Sequence, residues 1–197
     1  MARPRDERID HAVLSAVTEL LRDVGYSGLT MEAIAQRAGT TKPAIRRRWK
    51  NQQHLVVEAM AQMQIGAVKL DTGCTHCDLV RELQAFQDSM SDPAISQVLP
   101  GLVADLADDA ALRRTFLDIV WEPRRQACIE SLKKGMASGT LRPGLDPDLL
   151  LDLLTTPIVV RALFGHCSLT SEFPENIVHT VLSGAGATPI CSHERNY

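Results

Sequence analysis

Apolar residues recur every three or four positions along most of this chain, which is the spacing of one face of an α-helix. Residues 6–24 show this pattern first, with Asp6 and Glu7 favourably placed in the first turn and Gly25 directly after the end. No stretch alternates strictly between apolar and polar residues, as a half-buried strand would. The pattern therefore predicts an all-α protein.

Further helices are predicted after Thr41 and at residues 31–38, 52–65, 78–90, 93–107, 110–138, 148–165 and 174–183. Pro123 is expected to kink or divide the long helix at 110–138, because proline removes a helical hydrogen bond and crowds the preceding turn. The first helices form a predicted helix-turn-helix domain of residues 1–52. The others form a predicted C-terminal helical domain of residues 53–197.

A helix-turn-helix pattern occupies the segment TMEAIAQRAGTTKPAIRRRWKNQQHL. Gly39 is placed to end its first helix, because glycine adopts a left-handed conformation without a Cβ penalty. Thr41 is placed to cap the second helix, and Pro43 falls in the first turn, where a missing N–H costs little. Ile45 lies on the predicted buried face of that helix. Two short helices joined so tightly are typical of DNA-binding proteins.

The second helix of this pattern is strongly cationic. Residues 37–50 contain six Lys or Arg and no Asp or Glu. Such a surface attracts phosphates through counterion release, and side chains of the first two turns contact base edges when the helix enters the major groove. Double-stranded DNA is therefore the expected partner, with a basic arm at Arg3 and Arg5 as a weaker candidate contact. The predicted DNA-binding residues are Thr30, Thr40, Thr41, Lys42, Pro43, Ala44, Arg46, Arg47, Arg48 and Lys50.

The same segment resembles the N-terminal signature of the TetR family of bacterial regulators. The matching residues are Gly25, Tyr26, Thr30, Met31, Ile34, Ala35, Ala38, Gly39, Thr41, Lys42, Ile45, Trp49, Asn51 and Leu55. Arg46 replaces the family's tyrosine, Arg48 its usual histidine, and Gln52 the lysine that opens the next helix. The resemblance implies a DNA-binding transcriptional regulator, and the departures alter its phosphate contacts.

Charge differs between the two parts of the chain. Residues 1–60 carry 10 Lys/Arg against 7 Asp/Glu, whereas residues 61–197 carry 11 against 17. The acidic part is unsuited to holding DNA and better suited to dimerisation or to enclosing a small molecule. The N-terminus has no signal-peptide core, and the apolar stretch at 149–164 is interrupted by Asp152 and Arg161, so we expect a cytoplasmic protein without a membrane span.

Residues 148–165 are apolar nearly all round, so one face of this helix needs a cover from outside its own domain. The simplest cover is a second copy of the chain, and the resemblance implies the same, since TetR-like proteins dimerise through their last two helices as a four-helix bundle. Two recognition helices about 34–36 Å apart then match a palindromic operator. The predicted dimer-interface residues are Leu149, Leu153, Val160, Phe164, Ile177 and Val181.

The resemblance also implies that the C-terminal helices surround a cavity for a small molecule. The predicted ligand-binding residues are Leu102, Leu106, Phe116, Val120, Trp121, Arg124, Ile158 and Arg161. The two arginines are candidate polar anchors, and each apolar member also fits an ordinary core. A hydrophobic or amphipathic ligand would shift the dimer to a geometry that does not fit DNA, which predicts a repressor released by its ligand. No cofactor is expected.

Cysteine and histidine pairs leave an alternative open. The pairs lie in Cys74-Thr75-His76-Cys77, His166-Cys167 and Cys191-Ser192-His193. The C-x-x-C spacing of Cys74 and Cys77 holds zinc or closes a disulfide in some proteins, with His76 nearby. The alternative is therefore a redox or zinc sensor built on these three residues.

An enzyme with Cys77 as nucleophile is a more remote hypothesis. Neighbouring His76 would point about 100° away from Cys77 on a helix, which is a poor geometry for a nucleophile and its base. A purely architectural DNA-binding protein would have no use for the large acidic domain. Cys128 and Cys167 are interpreted as small buried apolar residues.

Overall fold

The computed structural model describes residues 7–63 and 70–184, and every regular element in these two ranges is a helix. The helices are, in order, α1 (Glu7–Gly28), α2 (Met31–Arg37), α3 (Lys42–Arg46), α4 (Gln52–Gln62), α5 (Thr75–Ser91), α6 (Pro93–Ser96), α7 (Leu99–Asp108), α8 (Ala110–Phe116), a π-helical segment (Leu117–Trp121), α9 (Glu122–Ala137), α10 (Pro147–Phe164) and α11 (Phe173–Ser183). The predicted all-α class is confirmed. Among the described helices, none combines the length and the apolarity needed to cross a membrane.

Helices α1 to α4 form a unit that we call the head. The regular part of α1 ends at Gly25, whose φ of 69° lies in the left-handed region that residues with a Cβ rarely adopt. Gly39 has a φ of 62° and reverses the chain between α2 and α3. Both glycines therefore lie where the sequence predicted the ends of helices.

The core of the head fixes the direction in which α3 faces. Trp49 is 2% exposed, and its indole N–H donates a hydrogen bond to Glu58 Oε2 at 2.7 Å. Ile34 of α2 and Ile45 of α3 are completely buried in the same cluster. Because the inner side of α3 is packed in this way, its opposite side is held towards solvent.

Helices α5 to α11 form a second unit that we call the body. Helix α5 packs on α9, α10 and α11, and α10 also packs on α9 and α11. Leu79 and Leu83 of α5 are buried together with Leu132 of α9 and Leu154 of α10. The apolar periodicity of these helices thus closes one core.

Two predicted helices are divided. The helix predicted at 93–107 is in fact α6 and α7, because Pro100 lies in a first turn, where its missing N–H leaves no hydrogen bond unmade. The helix predicted at 110–138 is interrupted by the π-helical segment, after which Pro123 occupies the first turn of α9. The interruption expected from Pro123 is confirmed, and it lies just before the proline.

Head and body share a broad contact. Helix α1 packs on α6 and α7, and α4 packs on α8 and on the π-helical segment. Helix α4 also packs on α1. A domain boundary between residues 52 and 53, as the sequence suggested, stays a prediction, because α4 is part of both packing arrangements.

Four sequence predictions fall on residues outside the described ranges. They are the basic arm at Arg3 and Arg5, Asp6 at the start of the first helix, the last two residues of the helix at 52–65, and the Cys191-Ser192-His193 group.

Candidate nucleic-acid interface and ligand cavity

The predicted DNA-binding residues lie at and around the start of α3. Thr30 Oγ1 accepts a hydrogen bond from the N–H of Ala33 at 3.2 Å and so caps α2. Thr41 Oγ1 accepts one from the N–H of Ala44 at 3.3 Å and caps α3. Both threonines are exposed, and Thr40 between the two helices is half-buried. These caps give the short α3 a defined start.

Folding supplies carboxylates that the sequence spacing did not show. Arg37 lies 3.0 Å from both Glu19 and Asp23 of α1. Lys42 pairs with Glu32 of α2, and this contact lowers the pKa of the Glu32 carboxyl. The basic segment is thus partly neutralised by the head itself, although its sequence contains no acid.

Arg46, the last residue of α3, and Arg47, which follows it, are the basic residues left for a contact with DNA. Lys50 lies 3.7 Å from Asp109 of the body. In the described ranges, Arg46 and Arg47 are the basic residues of this segment without an ion pair, and both are exposed. They are therefore the cations most available to a phosphate or a base edge.

Two predicted DNA-binding residues do not lie on this surface. Ala44 is 9% exposed and faces the core of the head. Arg48 turns back into the head, where its Nε lies 2.7 Å from Asp10 Oδ1 and both side chains are largely buried. Its Nη1 also donates to the Ala44 carbonyl oxygen at 3.3 Å. We therefore remove Ala44 and Arg48 from the contact surface and assign Arg48 to the support of α3.

A polar depression of about 440 Å³ lies where α3 ends and α4 begins. Arg46, Lys50 and Gln52 line it together with Met31, Asn51 and Gln53. Gln52 contributes no charge, so the positive charge in the lining of this depression comes from Arg46 and Lys50.

An apolar cavity of about 170 Å³ lies in the body, between α5, α7, α10 and the chain from α8 to α9. Six of the eight predicted ligand-binding residues line it, namely Leu102, Leu106, Phe116, Val120, Trp121 and Arg124. The lining also includes Phe86, Met90, Val103 and Val159, which were not predicted from the sequence. Phe86 and Met90 are one turn apart on α5, and this spacing was the available signal.

The structure does not place Ile158 and Arg161 at this cavity. Ile158 is fully buried in the core of the body, and its neighbour Val159 forms the wall instead. Arg161 stacks on the ring of Phe173 at 3.6 Å and donates to the Ser168 carbonyl oxygen at 2.7 Å. A helix that is apolar nearly all round does not reveal which residue faces which neighbour.

Arg124 is the charged residue of the cavity wall. Its side chain is 5% exposed, and its guanidinium carbon lies 3.9 Å from the ring centroid of Phe86 and 4.5 Å from that of Trp121. Both distances are typical of cation–π contacts. Burial lowers the pKa of Arg124 to about 10, so the group stays charged at neutral pH.

Helix α7 contacts both the cavity and the head. The hydroxyl of Tyr26 in α1 donates a hydrogen bond to the Asp105 carboxylate. The Tyr26 ring lies so close to Gly101 that a Cβ added there would be 2.5 Å from Tyr26 Cδ1. Leu102 and Leu106, each next in sequence to one of these contacts, line the cavity. A shift of α7 would therefore change its contacts with Tyr26.

A second link joins α1 to the start of α6. Arg22 binds Asp92 with two hydrogen bonds, Nη2 to Oδ2 at 2.7 Å and Nε to Oδ1 at 3.2 Å. Asp92 also caps α6 by accepting from the N–H of Ala94 at 2.9 Å. The bond to Arg22 lowers the pKa of Asp92. The contact between head and body is thus held by a bidentate ion pair as well as by Tyr26.

The predicted dimer-interface residues lie along α10 and α11. Leu149, Leu153 and Phe164 are 56%, 49% and 76% exposed, which is unusual for large apolar side chains. Leu153, Val160, Ile177 and Val181 line an open groove between the two helices, which has a volume of about 350 Å³. The expected division of α10 into an inner and an outer apolar face is therefore present.

The Cys74-x-x-Cys77 segment begins α5. Cys74 Sγ accepts a hydrogen bond from the N–H of Cys77 at 3.4 Å, so Cys74 is the N-cap. In the described ranges no group of three or more His, Cys, Asp or Glu side chains is placed to hold a metal ion. Cys128 is buried as predicted, whereas Cys167 is exposed, because it lies in the turn that follows Gly165 at the end of α10.

Replacing both Cys74 and Cys77 by Ser is expected to leave operator affinity unchanged in reducing and in oxidising buffer. A serine hydroxyl caps a helix at least as well as a thiol, and no thiol chemistry is needed for a capping role. Fluorescence anisotropy with labelled operator DNA measures this. Release of DNA on mild oxidation by the wild type, but not by the double variant, would contradict the capping role.

Profiles of two protein families match the chain. The family described as "Bacterial regulatory proteins, tetR family" matches residues 13–59, which cover most of the head. The family described as "Tetracyclin repressor-like, C-terminal domain" matches residues 70–181, which cover nearly all of the body.

Individual relatives agree with the two profiles. The chain is 28% identical to an uncharacterised HTH-type transcriptional regulator, YdeS of Bacillus subtilis, over 94% of both chains. Its fold is similar to the crystal structure of the TetR family transcription regulator SCO0332, with a TM-score of 0.77, 26% identity and coverage of 91% of this chain and 99% of that one. The fold is also similar to Bacillus subtilis FadR in complex with stearoyl-CoA, with a TM-score of 0.69, 15% identity and coverage of 89% and 99%.

Proposed function

Because this chain belongs to the TetR family of bacterial regulators, and is thus a DNA-binding transcriptional regulator and not an enzyme, we propose that it is a homodimeric repressor released from its operator by a small molecule. The operator is palindromic, the ligand is hydrophobic or amphipathic, and the protein acts in the cytoplasm. The observation that carries this proposal is the free, exposed pair Arg46 and Arg47 on the outer side of a helix-turn-helix.

The contact surface on DNA has two kinds of residue. Thr41, Lys42 and Pro43 begin α3, where the N-terminal residues of a recognition helix contact base edges. Arg46 and Arg47 follow one turn later and provide charge for phosphates or a bidentate contact to guanine. Selection of bound sequences from random DNA tests this assignment, and the expected result is one palindrome. Selection of unrelated sequences would contradict the proposal.

Replacing Arg47 by Ala is expected to weaken operator binding. If the side chain contacts a phosphate, the slope of log affinity against log salt concentration falls by about one. If it contacts a base, affinity falls by roughly 1–3 kcal/mol, mainly at one operator position. Titrations at several salt concentrations distinguish the two cases. Unchanged affinity and slope for Arg46→Ala and Arg47→Ala alike would contradict the assignment of α3.

Arg48→Ala is the matched control for Arg47→Ala. It removes the same type of side chain at the next position, but Arg48 forms an internal ion pair with Asp10 and does not face DNA. The expected result is a lower melting temperature of the head, because Asp10 is left largely buried without this partner. A salt slope equal to that of the wild type, once the protein is folded, would support the different roles of the two arginines.

The groove between α10 and α11 supports dimerisation. A two-fold axis at this groove would bring the same apolar surface of two copies together, as isologous interfaces require. Leu149, Leu153, Val160 and Phe164 of each copy would then be covered by the other. Two heads held at a fixed separation are what a palindromic operator requires.

The cavity next to α7 supports control by a ligand. A molecule that binds in this cavity and prefers a different position of α7 would shift that helix, and Tyr26 would pass this movement to α1 of the head. The ligand releases DNA only if it prefers the dimer geometry that does not fit the operator. By linkage, bound operator must then weaken ligand binding by the same factor. The FadR structure in complex with stearoyl-CoA shows a protein of this fold with an amphipathic ligand.

A further inference from the structure

The cavity wall contains an unsatisfied positive charge. Arg124 lines the cavity and is almost completely buried, and its Nη2 atom has no hydrogen-bond partner. No carboxylate lies within ion-pair distance of it in residues 7–63 and 70–184. Removing a charge from water without a partner is costly, so buried arginines are normally paired. The rings of Phe86 and Trp121 compensate only part of this cost.

Neighbouring acidic groups do not supply the missing anion. Glu82 lies one turn before Phe86 on α5, but its Oε1 accepts a hydrogen bond from Ser131 Oγ at 2.9 Å, and it is not part of the cavity wall. Burial raises the pKa of the Glu82 carboxyl and so favours its neutral form. Burial also raises the pKa of the Cys128 thiol, to about 12. The positive charge of Arg124 therefore has no counterpart among the residues of 7–63 and 70–184 around it.

We propose that the ligand of this cavity is a small amphipathic monocarboxylate, whose carboxylate binds Arg124 and whose apolar body fills the space between α7 and the π-helical segment. The inference rests on the proposed control by a ligand and names the chemical class of that ligand. The geometry suits a carboxylate, because the guanidinium carbon lies over both rings while the Nη2 atom has no hydrogen-bond partner and can donate to a carboxylate oxygen.

The size and lining of the cavity limit the apolar body and the charge. A cavity of about 150 Å³ with apolar walls admits benzene, and this one is about 170 Å³. One aromatic ring or a short aliphatic chain fits such a space, whereas a long acyl chain does not. The ten residues that line the cavity with Arg124 are uncharged and almost all are apolar. A dianion such as a phosphate monoester would bring a second charge that finds no partner.

Calorimetric titration of the full-length dimer with matched acids and amides tests the proposal. The probes are benzoate, 4-methylbenzoate and hexanoate, each compared with its primary amide, which has the same shape and no charge. We expect the acids to bind at least about tenfold more tightly than the amides, because a carboxylate makes charge-assisted hydrogen bonds to the guanidinium. We also expect the acids to release labelled operator DNA.

Three variants show whether Arg124 is responsible. Arg124→Met keeps the length and apolar volume of the side chain and is expected to remove the preference for acids. Arg124→Lys keeps the charge without the planar fork and is expected to retain a reduced preference. Arg125→Met is the matched control, since Arg125 is the next residue on α9 and pairs with Glu122 and Asp148 outside the cavity. It should retain the full preference for acids.

The possible outcomes separate this inference from the proposed function. Equal binding of acids and amides, no binding of either class at millimolar concentration, or an unchanged preference in Arg124→Met would each overturn the monocarboxylate proposal. Operator binding by the wild type without ligand would still support the proposed function in all three cases. If Arg124→Met does not fold, which its melting curve shows, Arg124→Lys and Arg125→Met provide the comparison.

Discussion

Glu in place of Leu153 is expected to convert the dimer into a monomer and to abolish operator binding. Leu153 lines the apolar groove between α10 and α11 together with Val160 and Val181. When the groove is covered by a second copy, a carboxylate there is removed from water, at a cost of several kcal/mol if no cation pairs with it. Arg161, which also lines the groove, is already stacked on Phe173 and bonded to the Ser168 carbonyl oxygen. Two-fold symmetry introduces this cost twice. Light scattering at micromolar concentration gives the mass, and anisotropy gives the operator affinity.

Leu117→Glu is the matched control for this prediction. Leu117 is 42% exposed and Leu153 49%, so the two substitutions place the same charge at similarly exposed leucines. Leu117 lies in the π-helical segment and does not line the groove. The control should remain a dimer. A Leu153→Glu protein that is dimeric and binds operator like the wild type would show that this groove is not the interface.

Much of the fold could be predicted because helices bury one face at a regular spacing. The helix predicted at 148–165 is α10 (Pro147–Phe164), and the one predicted at 174–183 is α11 (Phe173–Ser183). Pro100 shows where this reasoning failed. The apolar periodicity continues through it, but a proline without an N–H is tolerated only near a helix start, so the chain forms α6 and α7.

The contact surface on DNA could be located from the sequence but not resolved residue by residue. The run of basic residues was visible, and so were the caps Thr30 and Thr41. What the sequence could not show is that Asp10, more than thirty positions away, pairs with Arg48 and removes it from the surface. An ion pair of this kind depends on where folding places α1 relative to the residues that follow α3, and periodicity holds no information about that placement.

The cavity was predicted in outline for a similar reason. Phe116, Val120 and Trp121 were expected to line it and do so, because they fall on one side of the chain before Pro123. On α10 the prediction was wrong by one residue, because Val159 and not Ile158 lines the cavity. Arg124 was named as one of two candidate anchors, and its isolation from every carboxylate in the described ranges became visible only in three dimensions.

Replacing Gly101 by Ala is expected to destabilise the protein and to weaken operator binding at least about tenfold, or about 1.4 kcal/mol. In an open helical position this change would stabilise a helix by roughly 0.5–1 kcal/mol. At Gly101 the new Cβ would lie 2.5 Å from Tyr26 Cδ1, and such overpacking costs about 1–3 kcal/mol. The ring must therefore move, and α1 of the head moves with it away from α7.

In a Tyr26→Ala protein, the effect of Gly101→Ala on stability should have the opposite sign. Removing the ring makes space for the Cβ, so only the gain in helix propensity remains, and Gly101→Ala should then raise the melting temperature. Thermal unfolding and operator titrations of the four proteins form a double-mutant cycle. Gly101→Ala could instead have the same effect on stability and on operator affinity in both backgrounds. In that case the contact between Tyr26 and α7 does not couple the head to the body. The release of DNA must then proceed through another contact, such as the ion pair of Arg22 and Asp92.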